Sequence, residues 1–420
     1  MMKPLKRGKL RILMLNHHRR FKSIFRAQVI AEHLVKLGHS VTLVVISDNN
    51  RFVVRKDLCR GVEVIETPDL LWGRLRSGWD PYNTIVRTRL LSCLKEDFDL
   101  LHIFETRPAT IIPALSYLKK KKLPLIIDWI DWWGGKGGLI EVNRPWWYKH
   151  TFGRVEEFFE ENFRKFADGT TVISTALAER AKCLGVFDES IMLLRGGVDT
   201  DHFRPVPVEK ARRMTGIDPG AKVLGFSSLD SHLDLELLLK AVSIVKGRVP
   251  GVKVLMTGAA SSAVKKMVSS CGLSESVIFT GFLPFEELPL YLSACDIFLL
   301  PFPDMLYNAG RWPNKVTDYL SIGRPVVTNP TGELKEIFAG ERFGLTCEYD
   351  ASDFADKITA LINDPDTAQR MGAQARKWAV ENLQWEKRVL ELEGFYSKVL
   401  MRKGFVPEPL EKKGALANTA

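Results

Sequence analysis

The chain has 420 residues, 45% hydrophobic and 26% charged, which fits a globular protein of two or three domains and excludes a disordered or fibrous one. Its formal net charge of +10 favours anionic partners such as nucleic acid, acidic lipid headgroups or phosphorylated small molecules, without choosing among them. The six cysteines are scattered, with no Cys-x-x-Cys and no Cys/His cluster, which argues against a disulfide framework or structural zinc site and for a reducing compartment.

In chain order, the apolar run Leu10–Leu15 predicts a buried strand, and Ser23–Leu37 has helical spacing closed by Gly38. Ser40–Ile46, Val62–Ile65, Leu100–Ile103, Leu123–Asp128, Thr170–Ile173 and Ile191–Leu194 continue as strands with helical stretches between them. The rhythm restarts with strands at Val223–Phe226, Lys253–Thr257, Val277–Phe279, Ile297–Leu300 and Val326–Thr328. Helices are expected at Leu233–Val245, Pro284–Ala294, Asn314–Ile322, Ala351–Asn363, Thr367–Asn382 and Trp385–Leu400. Alternating strands and helices imply βαβ units and parallel sheets, so the fold class is α/β with two doubly wound, Rossmann-like domains facing across a cleft. The proline-rich stretch Thr200–Lys222 reads as the linker. That divides the chain into 1–199, 200–384, a helix at 385–403 crossing back to the first domain, and a disordered tail at 404–420. The apolar run Ile12–Leu15 is too short for a secretory leader and no apolar run reaches about 20 residues, so a cytoplasmic protein is expected.

The most informative segment runs from Leu300 through Asn308, Gly310, Arg311, Pro313 and Lys315 to Gly323-Arg-Pro. A strand ends at Leu300, a polar loop follows, and a helix opens near Asn314, so free N–H groups and the positive helix end gather there. Lys315 in the first helical turn opposes the dipole, which a nearby anion would explain, and Asp318 lies on the same face as Asn314 and Lys315. Pro313-Asn-Lys-Val-Thr-Asp-Tyr-Leu-Ser-Ile-Gly-Arg-Pro-Val-Val327, Val277–Leu283, Ala294–Pro301 and Gly196–Pro205 together resemble the GT-B glycosyltransferases, most closely the retaining family 4 group, over nearly the whole chain. The resemblance implies that Asp318 binds a ribose, that Gly281 and Phe282 flank the nucleobase, and that Asn308–Gly310 approaches the sugar and diphosphate. It also implies a nucleoside diphosphate sugar as co-substrate, no metal, and no further cofactor. Three departures stand out. Gly310 occupies the place of the family's first glutamate. Gly225–Asp234 lacks the family's arginine and lysine, a charge that Lys315 and Arg311 would supply instead. Ile130 stands where many members have a histidine.

In the first half, Asp128-Trp-Ile-Asp-Trp-Trp-Gly-Gly-Lys-Gly-Gly138 follows a strand, which makes Asp131 the catalytic candidate beside Lys315. Trp132 and Trp133 are candidates for stacking on the acceptor, and Gly134–Gly138 reads as a mobile loop. His17, His18, Arg19 and Arg20 follow the first strand and suit an anionic, lipid-linked acceptor. His102 and Glu105 are weaker candidates. The first-half basic clusters, including Lys119–Lys122, also suit an acidic membrane surface. The expected activity is glycosyl transfer from the donor to a hydroxyl with retention of configuration, in polysaccharide or glycolipid synthesis. A non-catalytic binding subunit and a sugar-nucleotide epimerase on the same fold are the rival readings. No nucleic-acid module is recognisable.

Overall fold

The computed structural model describes residues 8–19, 26–48, 51–71, 75–227 and 235–405. The chain divides into two compact units. The first runs to Val172 and takes in Ala178–Leu194 and the chain from Val389; the second holds Ile173–Leu177 and Arg195–Arg388. The division thus falls at Arg195, not Thr200. The expected linker contains a helix, Val208–Thr215, because Gly216 adopts a left-handed conformation (φ 72°) that caps it.

Among the described residues the first unit contains eight strands: β1 (Arg11–Arg19), β2 (Ser40–Ile46), β3 (Arg55–Cys59), β4 (Val62–Thr67), β5 (Leu100–Phe104), β6 (Leu125–Trp129), β7 (Gly169–Val172) and β8 (Ile191–Leu193). They form one sheet in the order β3-β4-β2-β1-β5-β6-β7-β8, parallel except for β3 against β4. The edge strand β3 escaped the sequence reading because Arg55-Lys-Asp-Leu-Cys is almost wholly exposed and lacks the apolar run of its buried neighbours. β1 runs past Leu15, with a register shift between Leu15 and Arg19, so Asn16–Arg19 belongs to the strand and not to a following loop. The core packs Leu13, Leu15, Val44, Ile65, Leu101 and Ile127. From Val389 the helix Trp385–Arg402 lies in this unit, where His102 Nδ1 pairs with Tyr396 Oη at 2.6 Å and His39 with Glu393 at 3.0 Å.

Among the described residues the second unit has six parallel strands: β9 (Val223–Ser227), β10 (Lys253–Thr257), β11 (Val277–Phe279), β12 (Ile297–Leu300), β13 (Val326–Thr328) and β14 (Gly344–Thr346). Their order is β11-β10-β9-β12-β13-β14. The three-residue β14 carried too little apolar sequence to be read as a strand. Proline reset two helix starts. Pro289 opens a shortened helix Leu288–Ser293, and Pro365 opens Pro365–Asn382, whose cap Asp364 accepts from Thr367 N at 3.0 Å.

In both sheets the strand order reverses once, between β1 and β5 and between β9 and β12. Open α/β sheets gather ligands beyond the carboxyl ends of their strands at such a reversal.

Candidate functional site

At the second reversal, β9 and β12 are packed closely where Gly225 pairs with Phe298. A side chain on Gly225 would come within 2.6 Å of the Phe298 ring and 2.7 Å of Cys295 Sγ. Tyr319 stacks on Phe298 at 4.0 Å, and its hydroxyl accepts from Ser227 N at 2.8 Å. That anchors the helix Asn314–Ile322, whose N-cap, Pro313, has no capping side chain. Lys315 sits one residue inside this end, its Nζ 4.1 Å over the Phe226 ring. Asp318, one turn on, is half-buried, and burial pushes its carboxyl up to about 7, against a hydrogen bond from Thr317.

The preceding segment is not a plain loop. It holds a short helix, Leu306–Ala309. Asn308 is fully buried. Its Nδ2 donates to Pro303 O at 2.8 Å, while its Oδ1 has no partner among the described residues. Gly310 follows as the buried cap of that helix. The Arg311 guanidinium lies over Phe302 (5.0 Å) and Tyr307 (5.6 Å), and its buried Nε is likewise without a partner. Buried polar atoms left unpaired cost free energy that a bound polar ligand recovers. Asn314 is exposed, with Oδ1 3.2 Å from where a Gly196 side chain would begin. Gly281 (φ 70°) closes a bridge to Gly258, and Phe282 stands 86% exposed, which is no core position. Of the cation-free stretch, Ser228–Asp234 lies outside the described residues.

The Gly196-Gly197 pair has a steric cause. Trp312 would meet a side chain on Gly196 at 2.5 Å, and Trp385 would meet one on Gly197 at 2.8 Å. Beside it the sequence reading missed Arg195 and Glu333. Glu333 is buried, is ion-paired with Arg195, and accepts from Thr175 N and Oγ1 at 2.7 Å each. Its signal was Gly332-Glu333 after a strand, which spacing alone does not separate from an ordinary helix start.

At the first reversal, His17 ends up buried near the end of β1. Its Nδ1 lies 3.2 Å from Phe104 O, an acceptor, so the proton sits on Nδ1 and the buried Nε2 is an acceptor without a partner among the described residues. Burial, then Arg107, holds His17 well below the ordinary imidazole range; the same two causes take His18 to about 3. Both histidines are thus held toward the neutral form, where the sequence reading counted them among cationic or titratable side chains. Arg19 closes β1, and Arg20 lies outside the described residues. The arginines here are Arg107 and Arg76, the latter ion-paired with Glu156, at 5.7 Å and 3.9 Å from the Trp133 ring. Burial, then Arg76, lowers the Arg107 guanidinium to about 10, while Glu105, Glu156 and Asp131 act the other way. Arg107 precedes a proline-opened helix, Pro108–Leu118, a start signal that the sequence offered and that went unread.

Asp131 is half-buried within reach of that Arg107 field, and its carbonyl accepts from Trp129 Nε1 at 2.8 Å. Trp132 and Trp133 are not bare platforms, since Arg180 covers Trp132 at 4.4 Å and Arg76 covers Trp133. Gly134 is pinned rather than mobile: its N–H donates to Glu160 at 2.7 Å, its carbonyl accepts from Arg180 at 2.9 Å, and a side chain there would strike Glu157 Cα at 2.7 Å. His102 and Glu105 are spent inside the fold, His102 on Tyr396 and Glu105 on Arg164 at 3.4 Å and Ile130 N at 3.0 Å. Glu105 holds a left-handed φ of 64°, a strained backbone that persists only where its surroundings enforce it.

The histidines make a pH prediction. Unfolded imidazoles bind protons below about 6.5, whereas native His17 and His18 resist doing so, so their contribution to stability is present above that value and lost as pH falls. Each contributes a slope of up to about 1.4 kcal/mol per pH unit. His17→Gln/His18→Gln is expected to flatten the fall in thermal midpoint between pH 6.5 and 4, read by calorimetry; an unchanged slope would mean that both histidines already titrate normally in the native state.

Two doubly wound units, one with an open helix end beside a raised carboxyl, define a nucleotide-fold protein of the GT-B kind. The family model described as glycosyl transferases group 1 matches residues 208–378, and that of glycosyltransferase family 4 matches residues 26–202. The chain belongs to the GT-B-fold glycosyltransferases. It is 27% identical over 244 residues to the GDP-mannose-dependent alpha-(1-6)-phosphatidylinositol monomannoside mannosyltransferase of Mycobacterium tuberculosis, covering 55% of this chain and 63% of that one. It is 25% identical over 298 residues to the D-inositol 3-phosphate glycosyltransferase of an Arthrobacter species, covering 64% and 69%. The chain thus spans about three fifths of the length of the mannosyltransferases it matches. In fold it is similar to sucrose-phosphate synthase of Thermosynechococcus elongatus, with TM-score 0.73 and 16% identity over 94% of this chain and all of that one. It is also similar to a glycosyltransferase involved in lipopolysaccharide biosynthesis, with TM-score 0.69 and 14% identity over 91% and 98%.

Proposed function

We propose that this chain transfers a glycosyl unit from a nucleoside diphosphate sugar to a hydroxyl acceptor, with retention of configuration, in the synthesis of a cell-envelope glycolipid. One observation carries the reading. A helix of nine residues opens uncapped at the β9/β12 reversal, with Lys315 in its first turn and the raised Asp318 carboxyl one turn behind. An anionic diphosphate suits the N–H groups and Lys315; a ribose diol suits the Asp318 carboxylate. The partnerless Asn308 Oδ1 and Arg311 Nε add an acceptor and a donor in the adjoining segment. No step requires a metal: Lys315 and the helix end neutralise the departing diphosphate.

In the first unit, Arg76 and Arg107 suit an anionic acceptor, and the His17 Nε2 suits its hydroxyl proton. Asp131 would orient or deprotonate that hydroxyl. The relatives act on inositol phosphates or phosphatidylinositol mannosides by name, so a phosphate-bearing lipid-linked sugar is the acceptor class proposed.

The test is a thermal-shift panel of GDP-, UDP- and ADP-sugars, GDP-mannose first. Stabilisation of about 2–4 °C by one nucleotide family at concentrations well above Kd, followed by release of free nucleotide when acceptor is added, is the expected result. Binding without turnover would support the non-catalytic reading, which Gly310 and Ile130 at the family's glutamate and histidine places favour. Turnover without acceptor would support the epimerase.

A further inference from the structure

The helix Phe152–Asn162 is built inside out. Its buried face carries Gly153, Glu156 and Glu160. Glu156 is ion-paired with Arg76 and hydrogen-bonded by Tyr148 at 2.7 Å, and Glu160 is ion-paired with Arg180 at 2.8 Å. Its outer face carries Phe152, Val155 and Phe158, all exposed. An ordinary surface helix shows the reverse pattern. The preceding short helix adds Trp146 and Trp147, 74% and 57% exposed, and Phe166 stands out just beyond. Among the described residues, nothing in the packing of this unit accounts for so many large apolar side chains turned outward together.

Most of the acidic charge beside them is taken up by arginines, and the exposed Glu141 keeps its own. Glu157 is taken by Arg154 at 3.2 Å and Glu161 by Arg180 at 2.7 Å. Glu141 accepts from Gly137 N at 2.5 Å. Among the described residues, no acidic side chain pairs with Arg144, Lys149 or Lys165; Arg144 lies over Tyr148 at 5.1 Å and Lys165 over Phe166 at 5.5 Å. Tryptophan, with an apolar body and one N–H, belongs at a lipid–water boundary, and flanking cations match anionic headgroups.

We propose that Trp146–Phe166 is a membrane-docking face that seats the first unit on an anionic bilayer, the aromatic rings entering the headgroup region and Arg144, Lys149 and Lys165 meeting lipid phosphates. This differs from the expectation that Asn16–Ser23 together with Lys119–Lys122 makes the contact: Arg20–Ser23 lies outside the described residues, Lys121 is already paired with Asp97 at 2.7 Å, and among the described residues no exposed aromatic cluster accompanies Lys119–Lys122. The proposal does not depend on the donor or acceptor reading.

The test is flotation of the full chain with phosphatidylcholine vesicles with and without phosphatidylglycerol. The parent is expected to float with the anionic vesicles only, less so as salt rises. Trp146→Ser/Trp147→Ser/Phe152→Ser should bind about tenfold or more weakly, and Arg144→Glu/Lys149→Glu about tenfold. Lys119→Glu/Lys120→Glu should float like the parent. The aromatic and Lys119/Lys120 changes are on exposed side chains and Arg144 and Lys149 are half-exposed, so thermal midpoints and nucleotide-sugar shifts should stay close to those of the parent. Failure of the parent to float, or equal flotation of the aromatic variant, would overturn the proposal. So would a parent that dimerises in sedimentation equilibrium through these same aromatic residues without binding vesicles, which would make a second copy the occupant.

Discussion

Lys315→Ala is expected to lower kcat by about 10²- to 10³-fold while leaving the fold intact. The cation sits in the first turn of the helix Asn314–Ile322, where the helix dipole works against it by roughly 0.3–1 kcal/mol. The Phe226 ring 4.1 Å away returns about 0.5–1 kcal/mol and offsets part of that cost in the free protein. Removing Lys315 should then shift the thermal midpoint by less than about 2 °C. On the proposed reading the balance changes in the transition state, because negative charge would develop on a departing diphosphate beside two positive sources, and loss of one would cost about 3–4 kcal/mol. Lys315→Arg should recover part of the rate, keeping the charge with altered geometry. Initial-rate kinetics alongside thermal melts decide the matter: a kcat within threefold of the parent would remove Lys315 from this role.

Asp318→Asn should move stability and donor affinity in opposite directions. Burial raises the native carboxyl to about 7, while an unfolded aspartate loses its proton near 4. Between those values the native state holds the extra proton, so this group's contribution to stability is present at low pH and is lost as pH rises through about 7. At pH 8 the native chain carries a desolvated carboxylate. The isosteric amide removes that cost and should stabilise the free protein by roughly 2 kcal/mol, the partial exposure of Asp318 being allowed for. The same change removes a charged acceptor for the ribose hydroxyls and should weaken donor binding about 10- to 100-fold. Melts at pH 5 and pH 8 with donor titrations test both halves: a variant less stable at pH 8, or one that binds donor as tightly as the parent, would contradict this account of Asp318.

The two predictions differ in how early their residues were legible. Lys315 and Asp318 could be placed from the sequence because a strand end, a proline, a helix start and a Gly-Arg-Pro exit fall in one local run, and helical spacing puts residues three apart on one face. The parallel sheets were legible for a similar reason: strands buried on both faces must be apolar along their whole length, as in Ser40–Ile46. The exposed edge β3 has no such requirement and left no trace. The division at Arg195 was also hidden, because prolines mark any irregular stretch, including one that holds a helix.

What the sequence determined by itself was therefore local: the strand and helix rhythm, the two nucleotide folds, and the helix end that carries Lys315 and Asp318. What tertiary structure alone decided was which side chains are buried and beside what. His17 and His18 counted among cationic or titratable side chains in the sequence and are held toward the neutral form by burial and by Arg107, a residue about 90 positions further on. Trp132 and Trp133 looked like open platforms and lie under arginines brought from Arg76 and Arg180. Glu156 and Glu160 turned inward only because those same arginines await them, which left Phe152, Val155 and Phe158 facing out. Desolvation and ion pairing depend on neighbours distant in the chain, and periodicity carries no information about those neighbours.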